Sequence, residues 1–441
     1  MADKGTHAAA RRVHFAALGY QPMRMKPVHF ATDFFLTLSP ITYRLELLNK
    51  AVVVKAKGNN SNDEYVTENL LPALIESDVV GESFTEKQLA ILRRQLSGVL
   101  DNDGSAVYPT YAPYKPFSSD YTVLSNRLLT SFSKNHGYSG CFVSRIFKGT
   151  PAGREILRAA KEFLDSGVGA AEKLVEPLLD LEEGEEWEDD YDSKFGTLSK
   201  ERIKKIATMM DAQTRALAKL VVNLKAESAP SSLRHLVIGL CSWLFIYLHK
   251  FHQNGKVPTL FMDFLQGQNR RVRALSCHSY ARERDRFYQA YYQMYKKKQF
   301  VAKRKDFLVI ENVGFKILEQ HYSDLAVRIG YVQPRAHQVR KKHFELQPDT
   351  LRTLVMSVLS STEVVPLEQL CEALRETWGI VVGGCPDDQE YLAKSGLKGV
   401  NEDDDLETNR DSFKQLLMRL GMAVEPSDGL VLCGVDEESL I

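Results

Sequence analysis

The sequence has no net charge: its 57 Lys and Arg are matched by 57 Asp and Glu. Net charge therefore selects no partner, and only the distribution of charge along the chain is informative. Long apolar runs are also missing. The most apolar stretch, Val237–Leu248, has twelve residues, whereas a membrane-spanning helix needs about 20. It predicts a buried core helix in a soluble, cytoplasmic protein with no membrane partner. The N-terminus carries Arg11 and Arg12 but no apolar segment of the kind a secretory signal requires, and Met25 is an alternative start. Six cysteines (Cys141, Cys241, Cys277, Cys371, Cys385, Cys433) are scattered without a CxxC or a paired metal spacing. That pattern predicts free thiols in a reducing compartment.

Catalytic signatures are absent as well. There is no GxxxxGK[ST], GxSxG or HExxH, so nothing supports a P-loop ATPase, an α/β-hydrolase or a zincin. His249 and His252 sit three apart at a helix end. Without further ligands nearby they read as helix-end histidines rather than metal ligands. His278 neighbours Cys277, but adjacent helical residues point apart and do not make a nucleophile pair. No cofactor and no metal are expected, and the chain reads as a non-enzyme.

What the sequence does have is a basic, aromatic stretch, Phe261–Lys305. It holds twelve Lys and Arg against three acids, Asp263, Glu283 and Asp285. Arg270, Arg271 and Arg273 follow the polar turn Gly267–Asn269. Arg282, Arg284 and Arg286 alternate with Glu283 and Asp285, so part of their charge pairs internally. Lys296, Lys297, Lys298 and Lys303, Arg304, Lys305 form two clean clusters. Such cations grip a phosphate backbone in a salt-dependent way; a solvated helix face is the competing reading. Tyr288, Tyr291, Tyr292 and Tyr295 fall at helical spacing, which suits packing better than base stacking. A metal-dependent nuclease would need Asp263 plus distant carboxylates; a turn cap before Gly267 is the simpler role for Asp263.

The remaining chain divides by composition. Residues 1–25 read as a loose lead-in and 26–179 as a mixed, mostly helical domain, with a small β element near Phe30–Lys57. Residues 180–196 form an acidic linker, since Asp180–Asp192 carries nine acids and no base. It is either a solvated connector or a strap over the basic stretch. Residues 197–342 form a helical domain with long helices over Thr197–Lys225 and Leu233–His252. In 343–441, helices over Pro348–Leu359, Leu367–Thr377 and Asn409–Leu420 are joined by a short extended piece and followed by a hairpin across Pro426–Gly429. That order predicts a winged helix-turn-helix-like domain. Its third helix offers Arg410, Lys414 and Arg419 for DNA, with Asp411 opposing, so a protein partner is equally open. The fold class is mainly α with minor β.

The run MDFLQGQNRRVRALSCHSY, together with the tail PDTLRTLVMSVL…CEALRETWG…SFKQLLMRLG…GLVLCG, resembles non-catalytic accessory proteins of bacterial anti-phage clusters. Methylation-associated defence systems and phosphorothioation-dependent restriction systems are the nearest. The resemblance spans about the C-terminal half and brings no catalytic residues. It implies a DNA-associated subunit working beside a separate ATPase, nuclease or methyltransferase. A scaffold without DNA binding and a metal-dependent nuclease are the alternatives.

Overall fold

A computed structural model describes residues 14–22, 27–38, 138–165, 191–192, 197–227, 229–296, 315–334, 341–385, 387–399, 402–427, 429–436 and 440. The described chain is mainly helical with small sheets. Its centre is α6 (Ala229–His252). Leu236, Val237, Leu240, Trp243, Leu244, Phe245, Ile246, Tyr247 and Leu248 are all buried. A helix apolar around its whole circumference must be covered on every side. One 22-residue segment, Ser231–His252, is long and apolar enough to cross a membrane, yet 89% of its most apolar window is buried inside the protein.

The covering helices are α1 (Pro27–Leu36), α2 (Ser139–Lys148), α3 (Pro151–Asp165), α4 (Lys200–Met209) and α5 (Asp211–Asn223). Ser199 caps α4 by accepting from the Arg202 N–H at 3.2 Å, the usual role of a serine there. The single helix expected over Thr197–Lys225 is broken at Met210, whose backbone leaves the helical region at φ −103°, ψ 13°. Helix α1 and the turn after it replace the extended piece expected over Phe34–Leu38; the part of that expected β element from residue 39 on lies outside the described residues. Helix α1 crosses α2 at Gly140, where a Cβ would lie 2.4 Å from both the Phe30 carbonyl and the Phe34 nitrogen. Of the lead-in expected over 1–25, the described residues 14–22 are anchored. Phe15, Leu18 and Tyr20 are buried, and the Tyr20 hydroxyl sits 2.9 Å from His321 Nε2.

After α6 come β1 (Leu260–Phe261), α7 (Arg270–Lys296), α8 (Phe315–Arg328), β2 (Val332–Gln333) and β3 (His343–Phe344). The C-terminal part contains α9 (Pro348–Val358), β4 (Val365–Pro366), α10 (Leu367–Trp378), β5 (Ile380–Val381), α11 (Asp388–Lys394), a π turn at Glu402–Leu406, α12 (Glu407–Arg419), β6 (Ala423–Ser427) and β7 (Leu430–Cys433). Strands β4, β7 and β6 form an antiparallel sheet in that order, with Val365 opposite Cys433 and Val424 opposite Leu432.

Contacts cross the boundary expected at 342/343. Strand β1 pairs in parallel with β5, and the Asp263 N–H donates to the Phe344 carbonyl at 2.9 Å. Helix α9 packs on α5 and α6, and one hydrophobic cluster runs from Phe15 to Val435. Gly379 makes the close approach of β1 and β5 possible. It has φ +72°, and a Cβ there would sit 2.2 Å from the Pro258 carbonyl oxygen.

Candidate nucleic-acid interface

Helix α7 carries the basic stretch, and Asn269 starts it. The Asn269 Oδ1 accepts from the N–H groups of Arg271 at 2.8 Å and Val272 at 3.2 Å. Its Nδ2 donates to Asp405 at 2.7 Å. The cap therefore also ties α7 to the turn that precedes α12. Arg270 is exposed and has no ion pair among the described residues. Arg271 is 67% exposed and lies 3.5 Å from Asp405, a weak pair at that exposure. These two cations project from the first turn of α7.

Arg273 turns the other way. Its Nε donates to the fully buried Asp263 at 2.5 Å. Its Nη2 lies 3.4 Å from Glu345, which also takes His343 Nε2 at 3.0 Å. Asp263 further accepts the Gly267 N–H at 3.1 Å. A cation arriving at Asp263 would have to displace Arg273 from a buried pair. Among the described residues, no group of three or more His, Cys, Asp and Glu is arranged to hold a metal ion.

The middle of α7 neutralises its own charge. Glu283, 1% exposed, accepts from Arg286 at 2.8 Å and lies 4.0 Å from Arg282. It also accepts from Gln253 at 2.8 Å, and the buried His249 lies 3.7 Å away. Burial pushes the Glu283 carboxyl up, but His249, Gln253 and Arg286 outweigh it and leave it below its ordinary value. Burial, helped by neighbouring His249, holds His252 down to about 4. Arg284 pairs with Asp285 at 2.7 Å.

Four aromatic residues of α7 pack, and the side chain of Tyr295 lies outside the described residues. Tyr280, Phe287 and Tyr291 are buried, and Tyr288 stands edge-on to Tyr322 at 6.2 Å. The Tyr291 hydroxyl bonds His14 Nδ1. Burial, with a contribution from His321, holds His14 down to about 3. Lys296 ends α7. Its side chain, together with Lys297, Lys298, Lys303, Arg304 and Lys305, lies outside the described residues.

In the C-terminal part, Arg410 donates to the Gly384 carbonyl at 2.9 Å and lies 3.8 Å from Glu368. Lys414 lies 3.4 Å from Glu425 and 3.9 Å from Asp411. Arg419 is exposed. The exposed positions of α12 are Glu407, Thr408, Asp411, Gln415 and Arg419, which combine two acids with one base. The start of α12 is clamped by the fully buried Asn409. Its side chain accepts from the Phe264 N–H at 2.9 Å and donates to the carbonyls of Met262 at 2.9 Å and Val382 at 2.6 Å.

The described end of the acidic run meets α2, not α7. Asp192 pairs with Arg145 at 2.7 Å, whose guanidinium lies 4.5 Å over the Tyr191 ring. Sequence reasoning missed Asp405, Asn409, His343 and Glu345 as partners of this region. Asp405 lies 136 positions from Asn269 and Asn409 lies 145 from Phe264, and no local spacing signals such contacts. No protein-family model matches the chain, and no match to it is found among curated proteins or among solved structures.

Proposed function

We propose that the chain is a non-enzymatic, DNA-associated subunit of an anti-phage defence or restriction complex, working beside a separate ATPase, nuclease or methyltransferase. The observation that carries the DNA contact is the exposure of Arg270 and Arg271 at the start of α7, which have one weak ion pair, Arg271 to Asp405, among the described residues; the partner-docking unit is residues 348–433. Helix, strand, two helices and a hairpin close on a three-stranded sheet in which the first strand pairs with the last. That order supports the winged helix-turn-helix-like reading, with β5, α11 and a π turn inserted between its second and third helices. DNA is held through its phosphates, by Arg270 and Arg271 at the start of α7 and by the cations that close and follow that helix in sequence, 296–305. Arg273 positions the α7 start through Asp263 instead of meeting phosphate.

The winged-helix-like unit docks a protein partner and does not read bases. Arg410 and Lys414 are half-buried and engaged by Glu368, Gly384 and Glu425, and the exposed face of α12 is not cationic. The internal neutralisation of α7 supports a second reading, a scaffold without DNA contact. Titrating labelled duplex DNA with the purified chain at increasing salt separates the two. The first reading expects binding that weakens linearly with the logarithm of salt. The second expects no binding at low salt.

A further inference from the structure

We propose that a second cationic surface, formed by α3 and α4, binds the phosphate backbone of duplex DNA; this rests on the DNA-associated reading above. On α3, Arg154, Arg158 and Lys161 are exposed while Ile156, Leu157, Ala160 and Phe163 face the core. The spacing i, i+4, i+7 places the three cations in one stripe, about 10 Å long at the helical rise. On α4, Lys200, Lys204 and Lys205 are exposed while Ile206 and Ala207 are buried. The α2–α3 turn joins the two stripes. Gly149 lies against Ile203 of α4, so closely that a Cβ there would be 3.1 Å from the isoleucine Cγ2. Arg154 reaches back over this turn to the Lys148 carbonyl at 3.1 Å.

Three exposed acids, Glu155, Glu162 and Glu201, share these faces. Glu162 is engaged by Arg158 at 4.0 Å and by Lys225 at 3.9 Å. Arg154, Lys161, Lys200, Lys204 and Lys205 make no ion pair among the described residues. Helix α7 is the opposite case: Arg273, Arg282, Arg284 and Arg286 all face carboxylates. Exposed, unpaired cations release counterions when they meet phosphates, whereas paired ones have already lost most of that gain. Several cations spread over two helices that both pack on α2 suit the regular charge of a duplex backbone better than a single small anion. Contacts from these cations to phosphates carry no base information, so contact here is independent of sequence.

The test compares the full chain with two variants, using a mixed-sequence DNA duplex and a salt titration. One variant combines Arg154→Gln, Arg158→Gln, Lys200→Gln and Lys204→Gln. The other combines Arg270→Gln and Arg271→Gln. All six side chains are at the surface, and circular dichroism checks that the fold persists. The expected result is that the α3/α4 variant loses affinity on every sequence and its salt slope falls by about 0.9 for each phosphate contact removed. If the wild type binds and only the Arg270/Arg271 variant is impaired, the α3/α4 surface is overturned and the α7 reading stands. If the wild type does not bind at low salt, the DNA-associated reading fails and this surface fails with it.

Discussion

Replacing Arg273 with methionine separates a structural Asp263 from a functional one. Asp263 is fully buried and its Oδ2 takes both the Arg273 Nε and the Gly267 N–H. Methionine keeps most of the side-chain volume but removes the charge, so the carboxylate is left in the interior with one backbone donor. Breaking a buried ion pair from one side costs about 3–5 kcal/mol. Asp263→Asn is milder, about 1–2 kcal/mol, because Arg273 is 30% exposed and retains Glu345. The double variant removes both charges and destabilises by less than the sum, with a coupling of about 2 kcal/mol. Denaturant unfolding followed by the fluorescence of the buried Trp243 and Trp378 reads all three. An Arg273→Met protein as stable as wild type, or additive single effects, would refute the pair as the reason for Asp263.

Three further outcomes follow from buried groups. His14 and His252 are held neutral in the fold, down to about 3 and about 4, so the unfolded chain takes up protons first. Their stabilisation is complete above the ordinary histidine value, falls progressively as pH drops below it, and is fully lost once pH has fallen through those lowered values. Between pH 7 and 5 this removes about 2 kcal/mol at His14 and less at the half-buried His252; melting His14→Gln over that range should show a flatter dependence. Gly379→Ala forces a Cβ onto the Pro258 carbonyl in a left-handed conformation that itself costs about 1–2 kcal/mol. Faster amide exchange at Leu260 and Met262, which bond Gly379 and Val381, should report the loosened β1–β5 pair. Asn409→Ala orphans the Phe264 N–H and the Met262 and Val382 carbonyls. At about 1–3 kcal/mol for each buried group left unpaired, the midpoint should drop markedly, and an unchanged midpoint would show that α12 is held some other way.

Periodicity made the helices legible where packing is local. Leu367, Leu370, Cys371 and Leu374 announce α10, and the wholly apolar Val237–Leu248 announces a core helix; both form. Proline and glycine marked the start of α9 and the hairpin after Met422. Position 210 was not legible, because nothing in IATMMDAQT breaks a helix by propensity; the break is imposed where α4 and α5 meet different neighbours. Phe34 and Phe35 carry strand-like local propensity, yet α1 is helical because Gly140 lets α2 pack directly against its backbone. Charge was the least legible property. The densest basic run proved largely self-paired in its middle, while the sparser cations of α3 and α4 stay exposed. Pairing depends on tertiary neighbours such as Asp263, Glu345 and Asp405, which the local sequence does not reveal.

The central claim is a grip on DNA through phosphates, and the most direct test is the affinity of the purified full chain for duplex DNA as a function of salt. A phosphate grip gives measurable binding at low salt that falls linearly with log salt and barely differs between sequences. Binding that is absent at low salt, or that is tight and insensitive to salt, contradicts it.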